Sequence, residues 1–133
     1  MAIDCGSMLT SDVEVGESIR RRLGHNAREG VADGYQAVKF DIDHSADELQ
    51  HDPVNRGLSL AELDKMTTLV AAVQEAVGDD IDVGIDCHGL YNVRDVLLLA
   101  QRLEPFNLIF LEDHVPPENI DAMGKATAST STG

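Results

Sequence analysis

Short apolar runs alternate with helical patterns along the whole chain of 133 residues. This β-α-β-α-β-α-β-α alternation predicts an α/β fold with a parallel sheet and right-handed crossovers. The sheet could be an open doubly wound sheet or part of a (β/α) barrel, and both bind ligands at the carboxyl ends of their strands. The predicted strands are 1–4, 35–43, 81–86 and 107–112, and the predicted helices cover about 11–32, 59–77, 92–104 and 117–126.

The second predicted helix has the clearest end signals. Ser59 followed by Glu62 matches a capping box, and Gly78 ends the apolar stripe.

The polar segment 44–58 before this helix is longer than most βα loops, which predicts a functional loop or an insertion. The small polar tail 126–133 predicts either a frayed end or the start of a fifth strand.

Length and composition favour one cytosolic domain. The chain is 43% hydrophobic, long enough for one core and too short for two of ordinary size. It has no apolar run of the roughly 20 residues that a membrane span needs, and its N-terminus does not resemble a signal peptide. Cys5 and Cys87 lack metal-type spacing and are expected to be reduced. The expected location is therefore cytoplasmic, with no membrane partner.

The charge is strongly acidic. The chain has 10 lysines and arginines against 24 aspartates and glutamates, a formal net charge of −14. This argues against nucleic acid or an anionic membrane as a partner, because phosphate contacts require a basic face. An acid-rich, lysine-poor surface fits a halophilic protein in a high-salt cytoplasm, where salt screens the self-repulsion, and it also fits an ordinary acidic protein.

Acids, two histidines and one lysine lie in or directly after the last residues of the predicted strands. Because the carboxyl ends of parallel strands share one edge, these side chains are expected to share one rim, where carboxylate oxygens suit Mg²⁺. Singly, each has a structural explanation, since acids form turns and N-caps after strands and histidine before glycine suits a turn. Their alignment on successive strands favours a site. The residues are Asp4, Lys39, Asp41, Asp43, Asp86, His88, Glu112, Asp113 and His114.

Four stretches together resemble the enolase superfamily, in its mandelate racemase/muconate lactonizing enzyme branch, and within it the sugar-acid dehydratases of galactonate dehydratase type. The resemblance covers roughly residues 30–130, with the motifs in the family's order. They are similar to the second strand with its Lys-x-Lys motif, the third strand with the first metal-binding Asp, the fourth strand with the second metal-binding acid, and the segment before the fifth strand. The stretches are GYQAVKFDID, VQEAVGDDIDVGIDCHG, LIFLEDHVPPENIDAM and ASTSTG.

The resemblance implies a partial (β/α)8 TIM-type barrel of about four βα units. It also implies Mg²⁺-dependent dehydration of a sugar acid (an aldonate) through α-proton abstraction and an enediolate intermediate. Asp86 and Glu112 would be the Mg²⁺ ligands. Lys39 would neutralise the substrate carboxylate, and His88 would be the general acid that protonates the departing β-hydroxyl. Lys39 and Asp41, in the strand-two motif, are the expected substrate-binding residues.

Several positions depart from the family's pattern. Asp41 replaces the second lysine of Lys-x-Lys, so a lysine base is missing there. Leu90 replaces an arginine often found after the His-Gly pair. His114 replaces a proline and is expected to be a solvent-facing turn residue. We expect 1–133 to form a single partial barrel domain that lacks the N-terminal capping domain, the third metal ligand and the later strands with the histidine base.

Match and departures together leave three hypotheses. The chain is a truncated dehydratase with weak or no activity alone, or a catalytically inactive remnant or assembly module of the same family. A phospho-acceptor receiver domain, with Asp86 as acceptor, is disfavoured because an acidic pair after strand one is missing. A partial barrel leaves two strand edges and an exposed apolar inner face, which predicts self-association or pairing with a missing segment.

Overall fold

The computed structural model of the chain describes residues 2–4, 12–42 and 57–128. Strands and helices alternate through these residues, as the sequence pattern predicts. The strands are β1 (Ala2–Asp4), β2 (Ala37–Asp41), β3 (Asp82–Asp86) and β4 (Phe110–Glu112), and the α-helices are α1 (Asp12–Ala32), α2 (Leu60–Val77), α3 (Val93–Leu103) and α4 (Ile120–Ala128).

The four strands are parallel and form one sheet in the order β1-β2-β3-β4. Each strand pairs with its neighbour in sequence, so every crossover steps in the same direction. Right-handed crossovers then place the helices on one face, whereas a doubly wound sheet changes direction and has helices on both faces. This topology is that of part of a (β/α) barrel. It excludes the receiver hypothesis, whose fold has the strand order 2-1-3-4-5.

The hydrophobic core lies between the helices and one face of the sheet. In β2, Val38 and Phe40 are buried against the helices, whereas Lys39 and Asp41 alternate with them and are half-buried. Ile85 of β3 continues the buried row. The helices complete this core with buried apolar residues that include Leu23, Leu63, Leu69, Val70, Val73, Val96, Leu99 and Leu103.

The opposite face of the sheet, called the inner face here, is more polar than expected. The prediction of an exposed apolar inner face is wrong for β2, β3 and β4, because charged residues occupy it at the carboxyl ends of these strands. Phe110 is the large apolar side chain on this face of the three strands. Paired by register, the inner-face residues are Ala37 and Asp82, then Lys39, Gly84 and Phe110, then Asp41, Asp86 and Glu112.

The capping box predicted at the start of α2 is confirmed. The Ser59 hydroxyl accepts a hydrogen bond from the Glu62 N–H at 3.2 Å, and the Glu62 carboxylate accepts one from the Ser59 N–H at 2.7 Å. Each side chain therefore satisfies a backbone donor that the first turn leaves free. Gly78 ends the helix with a positive φ of 81°, which glycine adopts without strain.

Two predicted boundaries differ from the structure. The fourth strand begins at Phe110, not at residue 107, because a 3₁₀ turn at Glu104–Phe106 continues α3 and Asn107 is left-handed. Helix α4 begins at Ile120, not at residue 117, because the Asn119 side chain accepts from the Ala122 N–H at 3.1 Å and so caps the helix there.

Some predictions concern residues that the structure does not describe. These are Asp43, most of the polar segment 44–58, Cys5 and the last five residues of the tail. Cys87 is buried and is not in a disulfide. Within the described parts of the chain, no helix has both the length and the apolar character to cross a membrane.

Candidate functional site

Three acids lie side by side at the carboxyl ends of three neighbouring strands. Asp41 of β2 is in register with Asp86 of β3, and Asp86 is in register with Glu112 of β4. Residues in register on parallel strands point to the same face, so the three carboxylates share the rim of the inner face. The expectation that strand ends would bring these residues together agrees with this geometry.

Lys39 extends from one row below and contacts two of these acids. Its Nζ donates to Asp86 Oδ2 at 2.9 Å and to Glu112 Oε2 at 2.7 Å, so one ammonium group bridges carboxylates on two different strands. The Lys39 side chain is 24% exposed and that of Asp86 only 11%, whereas Glu112 is 44% exposed. The ammonium therefore compensates a nearly buried charge as well as a surface one.

Gly84 makes room on the inner face between Lys39 and the fourth strand. A Cβ at position 84 would lie 2.5 to 2.9 Å from three ring carbons of Phe110, closer than real contacts allow. The Phe110 ring therefore packs directly on the Gly84 backbone. Sequence reasoning missed this role of Gly84, although a glycine inside a strand pattern is a signal of close approach.

The backbone after β3 holds the Asp86 carboxylate in place. The His88 N–H donates to Asp86 Oδ1 at 3.1 Å, while Oδ2 faces Lys39. The Cys87 N–H donates to the Glu112 carbonyl at 3.0 Å, which ties the two strand ends together. His88 and Asp113 both have positive φ values, 50° and 44°, uncommon for residues other than glycine and often found at functional sites.

These contacts shift two titrations. Burial alone would raise the pKa of Asp86, but the hydrogen bonds from Lys39 and from the His88 N–H outweigh it and lower the pKa below its ordinary value. Hydrogen bonds to Glu112 and then to Asp86 raise the pKa of Lys39 above its ordinary value. Lys39 is therefore a cation and Asp86 an anion throughout the neutral range.

Asp86, which accepts from Lys39, is also one of three residues that could hold a metal ion. One donor atom each from Asp41, Asp86 and His88 lie within 4.8 Å of one another, close enough to surround a metal ion. The His88 side chain is 51% exposed, and its Nε2 is 3.9 Å from Asp86 Oδ2. The donors comprise carboxylate oxygens and one imidazole, which suit a divalent cation. Asp86 therefore belongs both to this group and to the carboxylate pair that binds Lys39.

His114 is not a solvent-facing turn residue, so that prediction is wrong. The residue is only 8% exposed, and its Nδ1 is 2.9 Å from the Leu111 carbonyl oxygen. Nε2 is buried without a hydrogen-bond partner among the described residues. The turn after β4 folds the ring inwards, which no local sequence signal indicates. Leu90, which follows the His-Gly pair, is 38% exposed.

The sequence from residue 22 to residue 133 matches the family described as enolase C-terminal domain-like. This match covers most of the chain, and the chain belongs to that family. The family resemblance stated from the four strand motifs is therefore confirmed.

Two curated relatives are sugar-acid dehydratases. The D-xylonate dehydratase of Haloferax volcanii is 43% identical over 99 residues, which cover 74% of this chain and 24% of the relative. The D-gluconate dehydratase of Thermoproteus tenax is 36% identical over 109 residues, which cover 82% of this chain and 20% of the relative. The chain thus spans between a fifth and a quarter of the length of these relatives.

A solved structure confirms the fold. A mandelate racemase/muconate lactonizing enzyme-like protein from Rubrobacter xylanophilus matches 99% of this chain with a TM-score of 0.87 and 36% identity, over 35% of its own length. The predicted partial (β/α) barrel with parallel strands is the fold of this chain.

Proposed function

We propose that this chain carries the metal-binding and proton-donating half of a site for dehydrating a sugar acid, an aldonate. The observation that supports this most is the registered row Asp41, Asp86 and Glu112, with a lysine ammonium held between two of its carboxylates. Carboxylates that hold an ammonium group between two strand ends have the charge and the donor atoms to bind a metal cation. The names of the dehydratase relatives supply the substrate class.

The donor atoms fit Mg²⁺, with Asp86 and Glu112 as its ligands in this proposal. Mg²⁺ is bound in proteins through one or two carboxylates, with water and substrate oxygens completing its shell. When bound, such an ion attracts the substrate carboxylate and stabilises the negative charge that develops as the α-proton leaves. Asp41 and His88 add donors on the other side of Asp86.

The other roles follow from position and exposure. Lys39 is the cation beside the carboxylates and would bind the substrate carboxylate, with Asp41 on the same face accepting from substrate hydroxyls. The half-exposed imidazole of His88 would donate the Nε2 proton to the β-hydroxyl as it leaves. Its left-handed backbone and the hydrogen bond from its N–H to Asp86 hold the ring at the rim.

The described inner face lacks a free lysine that could take the α-proton. Position 41 carries an acid, and Lys39, the lysine on the described inner face, is ion-paired to two carboxylates. We therefore propose weak or no turnover by the chain alone. The same observation favours a second candidate function, a catalytically inactive member of the family that serves as an assembly module.

Turnover and metal binding separate these candidates. The chain would be incubated with Mg²⁺ and D-xylonate, D-gluconate or D-galactonate, with the 2-keto-3-deoxy product measured. Slow Mg²⁺-dependent turnover that falls at least about tenfold in Asp86→Asn and His88→Asn, but not in the control Lys65→Met, supports the enzyme. Turnover that survives Asp86→Asn would contradict it. No turnover, with Mg²⁺ binding intact, favours the inactive module.

Self-association or pairing with a further segment is also proposed, because β1 and β4 each have one neighbour in the described sheet. Size-exclusion chromatography with light scattering measures the mass directly. A stable monomer across a wide concentration range would count against self-association.

A further inference from the structure

We propose that the Lys39 ammonium is a built-in counter-cation of the Asp86–Glu112 pair, which a divalent ion displaces when it binds. Metal loading then releases Lys39 towards the substrate, so the metal binds before the sugar acid. This inference rests on the metal site of the proposed function and concerns how that site is loaded.

The geometry places the ammonium between the two carboxylates. Nζ is 2.7 Å from Glu112 Oε2 and 2.9 Å from Asp86 Oδ2, the distances of charge-assisted hydrogen bonds. An ion bound by both acids needs the volume and the lone pairs that this group now uses. Two cations a few ångströms apart in a partly buried site repel each other, so a divalent ion bound by both acids weakens the hold of these acids on the ammonium.

Lys39 has somewhere to go when it is displaced. It lies on the inner face, which is open in the described structure, and its four-carbon stem can swing without moving β2, since Val38 and Phe40 anchor that strand on the opposite face. Displaced from the carboxylates, the ammonium faces the space in front of the sheet as an unpaired positive charge. Its best partner there is the carboxylate of a sugar acid.

A purely structural ion pair makes a different prediction. If Lys39 only stabilises the fold, its loss weakens Asp86 and Glu112 as a preorganised pair and leaves metal affinity equal or lower. If Lys39 is a competing cation, its loss raises metal affinity, since the two acids then repel each other until an ion arrives. The sign of the change in Mg²⁺ affinity distinguishes the two.

The test is calorimetric titration of Mg²⁺ into wild type, Lys39→Met, Lys39→Arg and Lys65→Met. Lys65→Met removes the same charge from α2 and is the matched control. We expect Lys39→Met to bind Mg²⁺ at least about tenfold more tightly than wild type, with Lys39→Arg and Lys65→Met within about threefold of it. Equal or weaker binding by folded Lys39→Met overturns the inference while leaving the metal site intact. No binding by any variant overturns both.

A second readout needs no substitution. The chain has three lysines, Lys39, Lys65 and Lys125, so the ¹⁵N signals of their ammonium groups can be followed separately by NMR. Without metal, the Lys39 signal is expected to be sharp and slow to exchange with water. Mg²⁺ should shift it and speed its exchange while leaving the Lys65 signal in place. A Lys39 signal unchanged at Mg²⁺ saturation overturns the inference.

Discussion

The ammonium of Lys39 lies 2.9 Å from Oδ2 of Asp86, although the two residues are 47 positions apart in the chain. The contact joins β2 to β3 on the inner face, the side of the sheet opposite the described helices. It links a nearly buried acid to a lysine that is also bound to Glu112.

Loss of Lys39 should destabilise the fold. Lys39→Met leaves Asp86 charged, 11% exposed and without its cation, which is expected to cost about 1–3 kcal/mol of unfolding free energy. Asp86→Asn in the same background should restore part of that loss, because the uncompensated charge is gone. Urea unfolding of the two single variants and the double variant measures this coupling. Additive effects would show that the two residues do not interact in solution.

The pair should make stability depend on pH at both extremes. The folded-state pKa of Asp86 lies below its ordinary 3.8, so its contribution is present above pH 3.8 and is lost as the pH falls through the folded value. The folded-state pKa of Lys39 lies above 10.5, so its contribution is present below pH 10.5 and is lost as the pH rises through the folded value. Urea unfolding from pH 3 to 11 should show a smaller acid loss in Asp86→Asn than in wild type. Parallel curves would refute the assignment.

Gly84→Ala should be costly because of Phe110. The added methyl group would overlap the ring, and we expect a loss of about 1–3 kcal/mol in unfolding free energy. In a Phe110→Ala background the same change should cost much less. The control is Gly124→Ala in α4, where a Cβ meets nothing within 4 Å and should stabilise by about 0.5–1 kcal/mol. An equal cost with and without the Phe110 ring would show that the backbone, not the ring, resists the methyl group.

Asp95 is a buried acid that holds α2 and α3 together. It is 2% exposed and accepts from the Leu58 N–H at 2.7 Å and from Asn92 Nδ2 at 2.8 Å. Asp95→Ala leaves the Leu58 donor without this acceptor, so we expect a loss of about 2–3 kcal/mol. Asp95→Asn should lose less, since an amide oxygen can still accept. Thermal unfolding measures both, with exposed Asp80→Asn as a control that should change little.

Salt should stabilise this chain. A net charge of −14 on 133 residues repels itself, and about 1 M salt shortens the screening length from about 10 Å to about 3 Å. We therefore expect the unfolding temperature to rise with KCl concentration. A matched titration with sucrose, which does not screen charge, separates screening from general exclusion effects. A flat or falling curve in KCl would argue against the high-salt interpretation.

The sequence predicted the row of acids because that row depends only on where strands end. Asp86 and Glu112 each close an apolar run, and parallel strands bring such ends to one edge. The bridge from Lys39 could not be predicted in the same way. It depends on the register of β2 against β3 and on the space that Gly84 leaves, and both are set by packing between distant segments.

Two further features could not be predicted from the sequence for similar reasons. The burial of His114 results from the way the chain folds back after β4, and proline-rich sequence there favours exposure as readily as burial. The late start of β4 follows from the left-handed backbone of Asn107, which ends the 3₁₀ turn at Glu104–Phe106 and which the apolar pattern of 107–112 does not reveal. Local propensity does not determine the burial of His114 or the first residue of β4, because both depend on contacts between segments.

Side chains in β2 point alternately to the two faces of the sheet, so the residues that pack and the residues that line the site are different. Val38 and Phe40 hold the strand against the helices, while Lys39 and Asp41 face the open side and take no part in that packing. A substitution at position 41 therefore changes chemistry without disturbing the core. Position 41, at a known register beside Asp86, is therefore a place where a new catalytic group can be installed while the core side of β2 stays unchanged.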